Sequence, residues 1–158
     1  MRFARSLIPG ALLLFLATAP VRAQGPHAFQ TRCAVCHQAT GEGVPGIYPP
    51  ISGTIGKYVK LPQGRTFLVH LLLFGMSGEI NSQGTIYEGL MPPVADFSDR
   101  ELADAINYVL RKLNTHELPS GFKPITAAEF KAARASNLSP DDVLRDYRHE
   151  RGVCPAAQ

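Results

Sequence analysis

The chain has 158 residues, of which 45% are apolar and 18% charged. That balance excludes compositional disorder and uniform membrane embedding, and the length allows one domain with appendages. Lys and Arg outnumber Asp and Glu by 16 to 13, but Arg2, Arg5 and Arg22 lie in the first 23 positions, which hold no acid. The rest is balanced, which excludes nucleic acid as a partner because neutralising phosphates needs a basic surplus. Three cysteines are too few for a disulfide scaffold.

Met1 to Ala23 reads as a secretory signal. Arg2 and Arg5 form a positive start, Leu7 to Ala19 an apolar stretch, and Val21 and Ala23 offer small residues for cleavage before Gln24. The apolar stretch is interrupted by Pro9-Gly10 and falls short of the about 20 residues a membrane span needs. The expected product is exported to a bacterial periplasm with no span remaining after cleavage. The expected division is residues 24–114 as the main domain and residues 115–158 as a C-terminal extension.

Helical periodicity runs from His27 to Gln38 and ends at Gly41. Gly41 to Pro50 is too rich in Gly and Pro to continue a helix or pair as a strand. Arg65 to Phe74 is an apolar helix stopped by Gly75. Ser82-Gln83-Gly84 predicts a very short hairpin between Ile80 and Tyr87. Ser98 to Leu113 is the clearest helix, with a capping box from Ser98 to Glu101 and an apolar face of Leu102, Ala105, Ile106, Val109, Leu110 and Leu113. After a linker, Leu118 to Pro124, two more helix starts follow at Thr126 with Glu129 and at Ser139 with Pro140 and Asp142. The fold class is therefore mostly α. The two tail helices are read as packing back on the main domain rather than as a docking segment.

Cys33-Ala34-Val35-Cys36-His37 is the pattern C-x-x-C-H, which attaches haem c. Residues three apart share a helix face, so Cys33 and Cys36 reach two vinyl groups of one porphyrin and form thioethers. His37 follows directly and is placed to become the proximal iron ligand. A thioredoxin-like redox pair needs a βαβ context that is absent, and zinc needs two further ligands at matching spacing. Cys154, beside Pro155, reads as an exposed free thiol.

From His27 to Leu113 the sequence resembles the class I monohaem c-type cytochromes, through CAVCH, GEGVPGIYPPISG, GMSGEI, YEGLMPP and SDRELADAINYVL. The resemblance implies a small helical domain around one covalent haem, with the Pro-rich loop on the proximal side. It implies that the Pro49 carbonyl, with Pro50 as the near alternative, accepts a hydrogen bond from the His37 ring, and that Ile51 touches the haem. Beyond the leader, the distal ligand lies between Met76 and Met91. The resemblance favours Met91, in a loop before the last helix, and Pro92-Pro93 would stiffen that loop around a weak thioether ligand. Met76 then reads as a gap-filling core or haem-edge residue. His70 reads as a satisfied core or half-exposed histidine, and His27, His116 and His149 as surface residues. Tyr48, Phe67, Tyr87 and Tyr108 are core or haem-lining.

His/Met ligation closes both axial positions, so the expected function is single-electron transfer between periplasmic redox proteins acting as donor and acceptor. The alternatives are a haem-bearing subunit permanently bound to a periplasmic dehydrogenase or reductase, and a haem enzyme or gas sensor with a displaceable distal ligand. No acid, base or nucleophile constellation suggests catalysis. Lys57, Lys60 and Arg65 on one side, and Asp96, Asp99, Glu101 and Asp104 on the other, suggest a dipolar surface for partners, or ordinary solvated charge.

Overall fold

A computed structural model describes residues 26–153. The leader, its cleavage position and Cys154 lie outside the described residues. The fold is mostly α. A π turn, Phe29–Cys33, runs into helix α1, Ala34–His37. Next come a 3₁₀ turn, Gly56–Lys60, and helix α2, Pro62–Phe74. Strands β1, Met76–Ser82, and β2, Thr85–Met91, form an antiparallel hairpin. Helix α3, Asp99–Tyr108, continues into a π turn, Val109–Leu113. Helices α4, Ala127–Ala133, and α5, Pro140–Val153, complete the chain. No helix among the described residues is long and apolar enough to cross a membrane.

Local chemistry accounts for most helix ends. Ser98 and Thr126 each take part in a full capping box, with Glu101 and Glu129, and Ser139 exchanges the same bonds with Asp142 at the start of α5. Helix α2 begins three residues before the predicted Arg65. Pro62 fits the first turn of a helix, where its missing N–H loses nothing. Gly64 obscures the apolar pattern there, yet it is needed: a Cβ on it would sit 2.2 Å from the Tyr58 carbonyl oxygen. The helix stops where Gly75 takes φ +72°.

The hairpin is longer than predicted. It pairs Met76 with Met91 at its base and Ser82 with Thr85 at its tip. Gln83 and Gly84 both have positive φ, 52° and 83°, the geometry of a two-residue type I′ turn. The strands are poor in β-branched residues, so their sequence carries a weak strand signal. Support comes instead from α5. Tyr147 donates its hydroxyl hydrogen to the Asn81 carbonyl at 3.0 Å, and a Cβ on Gly78 would come within 2.7 Å of Leu144.

Two apolar clusters hold the layers together. The main one joins Phe67, Leu68, Leu72 and Leu73 of α2 to Leu102 and Ile106 of α3, and to Ile125, Phe130, Val143, Leu144 and Tyr147 of the tail. Helices α4 and α5 therefore share the main core. A smaller cluster of Ala28, Phe29, Ala105 and Val109 presses the motif helix against α3 and the π turn after it.

Arg65 of α2 fastens the tail by donating to the carbonyls of Lys123 and Pro124 and to both carboxylate oxygens of Glu129. Burial raises the Glu129 pKa, but Arg65 and Thr126 together outweigh it, and the carboxyl ends below its usual range. A depressed carboxyl contributes stability above the unfolded pKa and loses it as pH falls through the folded value. Glu129→Gln is therefore expected to lower Tm near neutrality and to flatten the fall in Tm below about pH 4, the ordinary carboxylate range. Thermal melts across that range, compared with the parent, check both effects.

Candidate functional site

The chain reverses after the motif helix so that the Pro-rich loop lies against it. Gln38 leaves the helix at φ 64°, the Gly43 amide donates to the His37 carbonyl at 2.9 Å, and the Tyr48 amide returns to the Val44 carbonyl at 2.8 Å. Only glycine fits at position 43, because a Cβ would lie 2.3 Å from the Tyr48 carbonyl oxygen. This fold-back brings the Pro49 carbonyl oxygen 2.8 Å from His37 Nδ1. A carbonyl only accepts, so Nδ1 carries the proton and Nε2 holds the free lone pair. The Pro50 carbonyl is occupied by the Thr54 hydroxyl at 2.7 Å. His37 is only 9% exposed. Burial pulls its pKa below the usual imidazole value, with the Pro49 carbonyl opposing in part, which keeps the ring neutral as metal ligation requires.

Cys33 and Cys36 are half-buried and not joined to each other. Burial, with Cys36 as a second cause, pushes the Cys33 thiol up to about 11. A nucleophilic cysteine needs the opposite shift, so Cys33 is not activated as an attacking thiol. Among the described residues no group of three His, Cys, Asp or Glu is placed to hold a metal ion.

Met76 and Met91, the two candidates for the distal ligand, are direct partners at the base of the hairpin. Their environments differ: Met76 packs against the main core, while Met91 belongs to neither cluster. Alternate residues of a strand share a face, and Met91 shares its face with buried Tyr87 rather than with exposed Ile86 and Leu90. Its backbone is held firmly. A Cβ on Gly75 would lie 2.3 Å from the Met91 carbonyl oxygen, and beyond Pro92-Pro93 the Val94 amide donates to the Leu72 carbonyl at 2.9 Å.

These residues suit an apolar, covalently attached iron porphyrin. His37 Nε2 has no hydrogen-bond partner among the described residues, and neither thiol is in a disulfide, Cys33 making only a long contact of 4.0 Å to the Ala28 carbonyl. Large apolar side chains stand open beside the site residues in the chain: Val35 between the cysteines, and Ile47 and Tyr48 before Pro49.

Other expectations are met differently. His70 is half-buried, one of its two expected settings, while its Nδ1 is buried without a hydrogen-bond partner, 3.6 Å from Asp146 of α5. Phe67 is core and Tyr87 is buried, Tyr108 is half-buried against Phe29, and Tyr48 is exposed. His27, His116 and His149 are exposed. The dipolar surface loses most of its members to internal pairing. Arg65 is committed to the tail, Arg32 takes Asp96, Arg134 takes Asp99, and Glu101 caps α3. Sequence reading missed Asn114, which is fully buried and ties the segment after the Pro-rich loop to the end of the last π turn. Its signal was an asparagine just past a helix, which by itself suggests only a terminator.

A mostly α domain presenting two free thiols and an oriented, neutral histidine in C-x-x-C-H is a covalent haem c protein. The family model for cytochrome c matches residues 23–112. Two cytochromes c-552 from Thermus thermophilus are similar: one is 36% identical over 138 residues, covering 87% of this chain and 93% of the relative, and the other 37% over 117 residues, covering 74% and 89%. The chain belongs to the cytochrome c family, as a class I c-type cytochrome. It carries haem c bound covalently through Cys33 and Cys36, and it is an electron-transfer protein rather than an enzyme.

Proposed function

We propose that this cytochrome is an exported single-electron carrier in which His37 and Met91 would be the residues that hold the haem iron. The haem, when bound, supplies a one-electron Fe(III)/Fe(II) couple. The observation that carries the reading is the 2.8 Å contact between His37 Nδ1 and the Pro49 carbonyl. It fixes the ring tautomer with Nε2 available and makes the imidazole a stronger donor. Ile51 lies against the haem edge in this reading, and its side chain also packs on the small cluster beside the motif helix. Met91 is preferred over Met76 because Met76 is used by the main core and Met91 is not. Pro92 and Pro93 restrict the backbone that carries the thioether, so a weak ligand is held without help from a strong bond.

The leader, Met1 to Ala23, directs the chain to the periplasm, where redox proteins serve as donor and acceptor. Residues 24–114 form the haem domain. Residues 115–158 extend it, and α4 and α5 share its core. Carbon monoxide tests the central claim. The reduced holoprotein is expected to keep its c-type absorption spectrum under carbon monoxide, because both axial positions are held. A shifted spectrum would mean that the distal position opens, and the gas-sensor or haem-enzyme reading would replace this one.

A further inference from the structure

We propose that Asn114 is a positioning residue for the axial histidine, acting through the loop that carries the Pro49 carbonyl; this rests on the reading of His37 as the proximal ligand. Asn114 is 1% exposed and lies just past the π turn Val109–Leu113. Its Oδ1 accepts from the backbone amides of Thr54, Ile55 and Gly56 at 3.0, 3.1 and 3.0 Å. Its Nδ2 donates to the carbonyls of Ile51 at 2.8 Å and Val109 at 3.1 Å. The amide thus uses both its donors and more than its usual two acceptor directions. No other residue type offers both functions at this size.

The need for such a group is local. The 3₁₀ turn Gly56–Lys60 starts without a side-chain cap of its own, so its first amides would be buried and unsatisfied. Asn114 supplies the cap from about 60 residues further along the chain. Gly56 makes the approach possible, since a Cβ there would lie 2.8 Å from the Asn114 Cβ. Neighbouring bonds extend the anchor. The Leu113 carbonyl accepts from the Gly53 amide at 2.9 Å and from the Ser52 hydroxyl at 3.1 Å. The Gly41 carbonyl accepts from the amides of Ile51 and Ser52 at 2.8 and 2.9 Å. Pro49 is therefore set between a segment pinned by Asn114 and the end of the motif helix. Where its carbonyl stands decides the direction and strength of the His37 hydrogen bond.

The test is proton NMR of the oxidised holoprotein, with the reduction potential measured alongside. In the parent, the His37 ring protons are expected to show the large shifts of an iron-bound imidazole. Their absence would overturn the ligation reading, and this proposal with it. Given those shifts, Asn114→Ala is expected to move the His37 ring resonances and the potential, and to speed exchange of the His37 Nδ1 proton by about tenfold, roughly the effect of losing one net hydrogen bond. Phe130→Ala, which opens the main core away from the loop, is the comparison. It is expected to lower Tm while leaving the His37 resonances and the potential in place. Equal behaviour of the two variants would mean that Asn114 is merely structural. Should Asn114→Ala not fold, Asn114→Asp takes its place. It keeps the acceptor for the three amides, so the donor bonds to the Ile51 and Val109 carbonyls are tested on their own. A zinc-substituted or reduced diamagnetic sample separates loop displacement from the effect of the added charge. Displaced His37 ring resonances there support the proposal, and unchanged ones overturn the part played by the Ile51 bond.

Discussion

Replacing Cys33 and Cys36 together by serine is expected to abolish covalent haem attachment, so that acidified organic solvent extracts all the haem from the purified protein. The single variants are expected to retain one thioether each and to keep the haem through extraction. The α band of the pyridine haemochrome shifts as the number of thioethers falls, and it distinguishes the three cases. The reason is geometric. The thiols are three residues apart where the π turn Phe29–Cys33 passes into α1, and neither is engaged with the other.

Met91→Ala should open the distal position. Carbon monoxide is then expected to shift the reduced spectrum, and the weak red absorption of a methionine–Fe(III) pair should disappear. The reduction potential should fall by on the order of 0.1 V or more, within the roughly 0.8 V that axial ligands command. The comparison is Met76→Leu, a volume-conserving change in a core position that should cost less than about 1.5 kcal/mol and leave the spectrum intact. The two methionines are cross-strand partners, and directly opposed side chains lie within about 5.5 Å of each other at Cβ. A reversed result, with Met76→Leu opening the site, would therefore mean that the hairpin offers the other thioether. It would leave the rest of the electron-carrier reading in place.

How much was legible depends on the distance over which each interaction acts. The capping boxes at Ser98 and Thr126 were readable because donor and acceptor lie three residues apart. Helix α2 was readable over its apolar body and hidden at its start, where Gly64 serves the Tyr58 carbonyl rather than any helical pattern. The hairpin was largely hidden, since Gly78 and Asn81 matter through Leu144 and Tyr147 of α5. Arg65 looked like a surface cation available to a partner, but its hydrogen bonds run to Lys123, Pro124 and Glu129. His70, in LVHLLL, reads equally as a core or a half-exposed histidine, and the group it faces, Asp146, lies on another helix.

By itself the sequence determined the haem class and the mostly α character of this protein. C-x-x-C-H is contiguous, and both its spacing on a helix turn and the helix signals around it are short-range properties of the chain. The sequence favoured Pro49 over Pro50 and Met91 over Met76. Tertiary structure set the Pro49 carbonyl against His37, kept Met91 out of the main core that Met76 joins, and brought Asn114 to the amides of Thr54, Ile55 and Gly56. Each of those outcomes turns on which backbone carbonyl, amide or cavity a side chain meets after distant segments pack. Such meetings leave no periodic or local trace in the order of the residues.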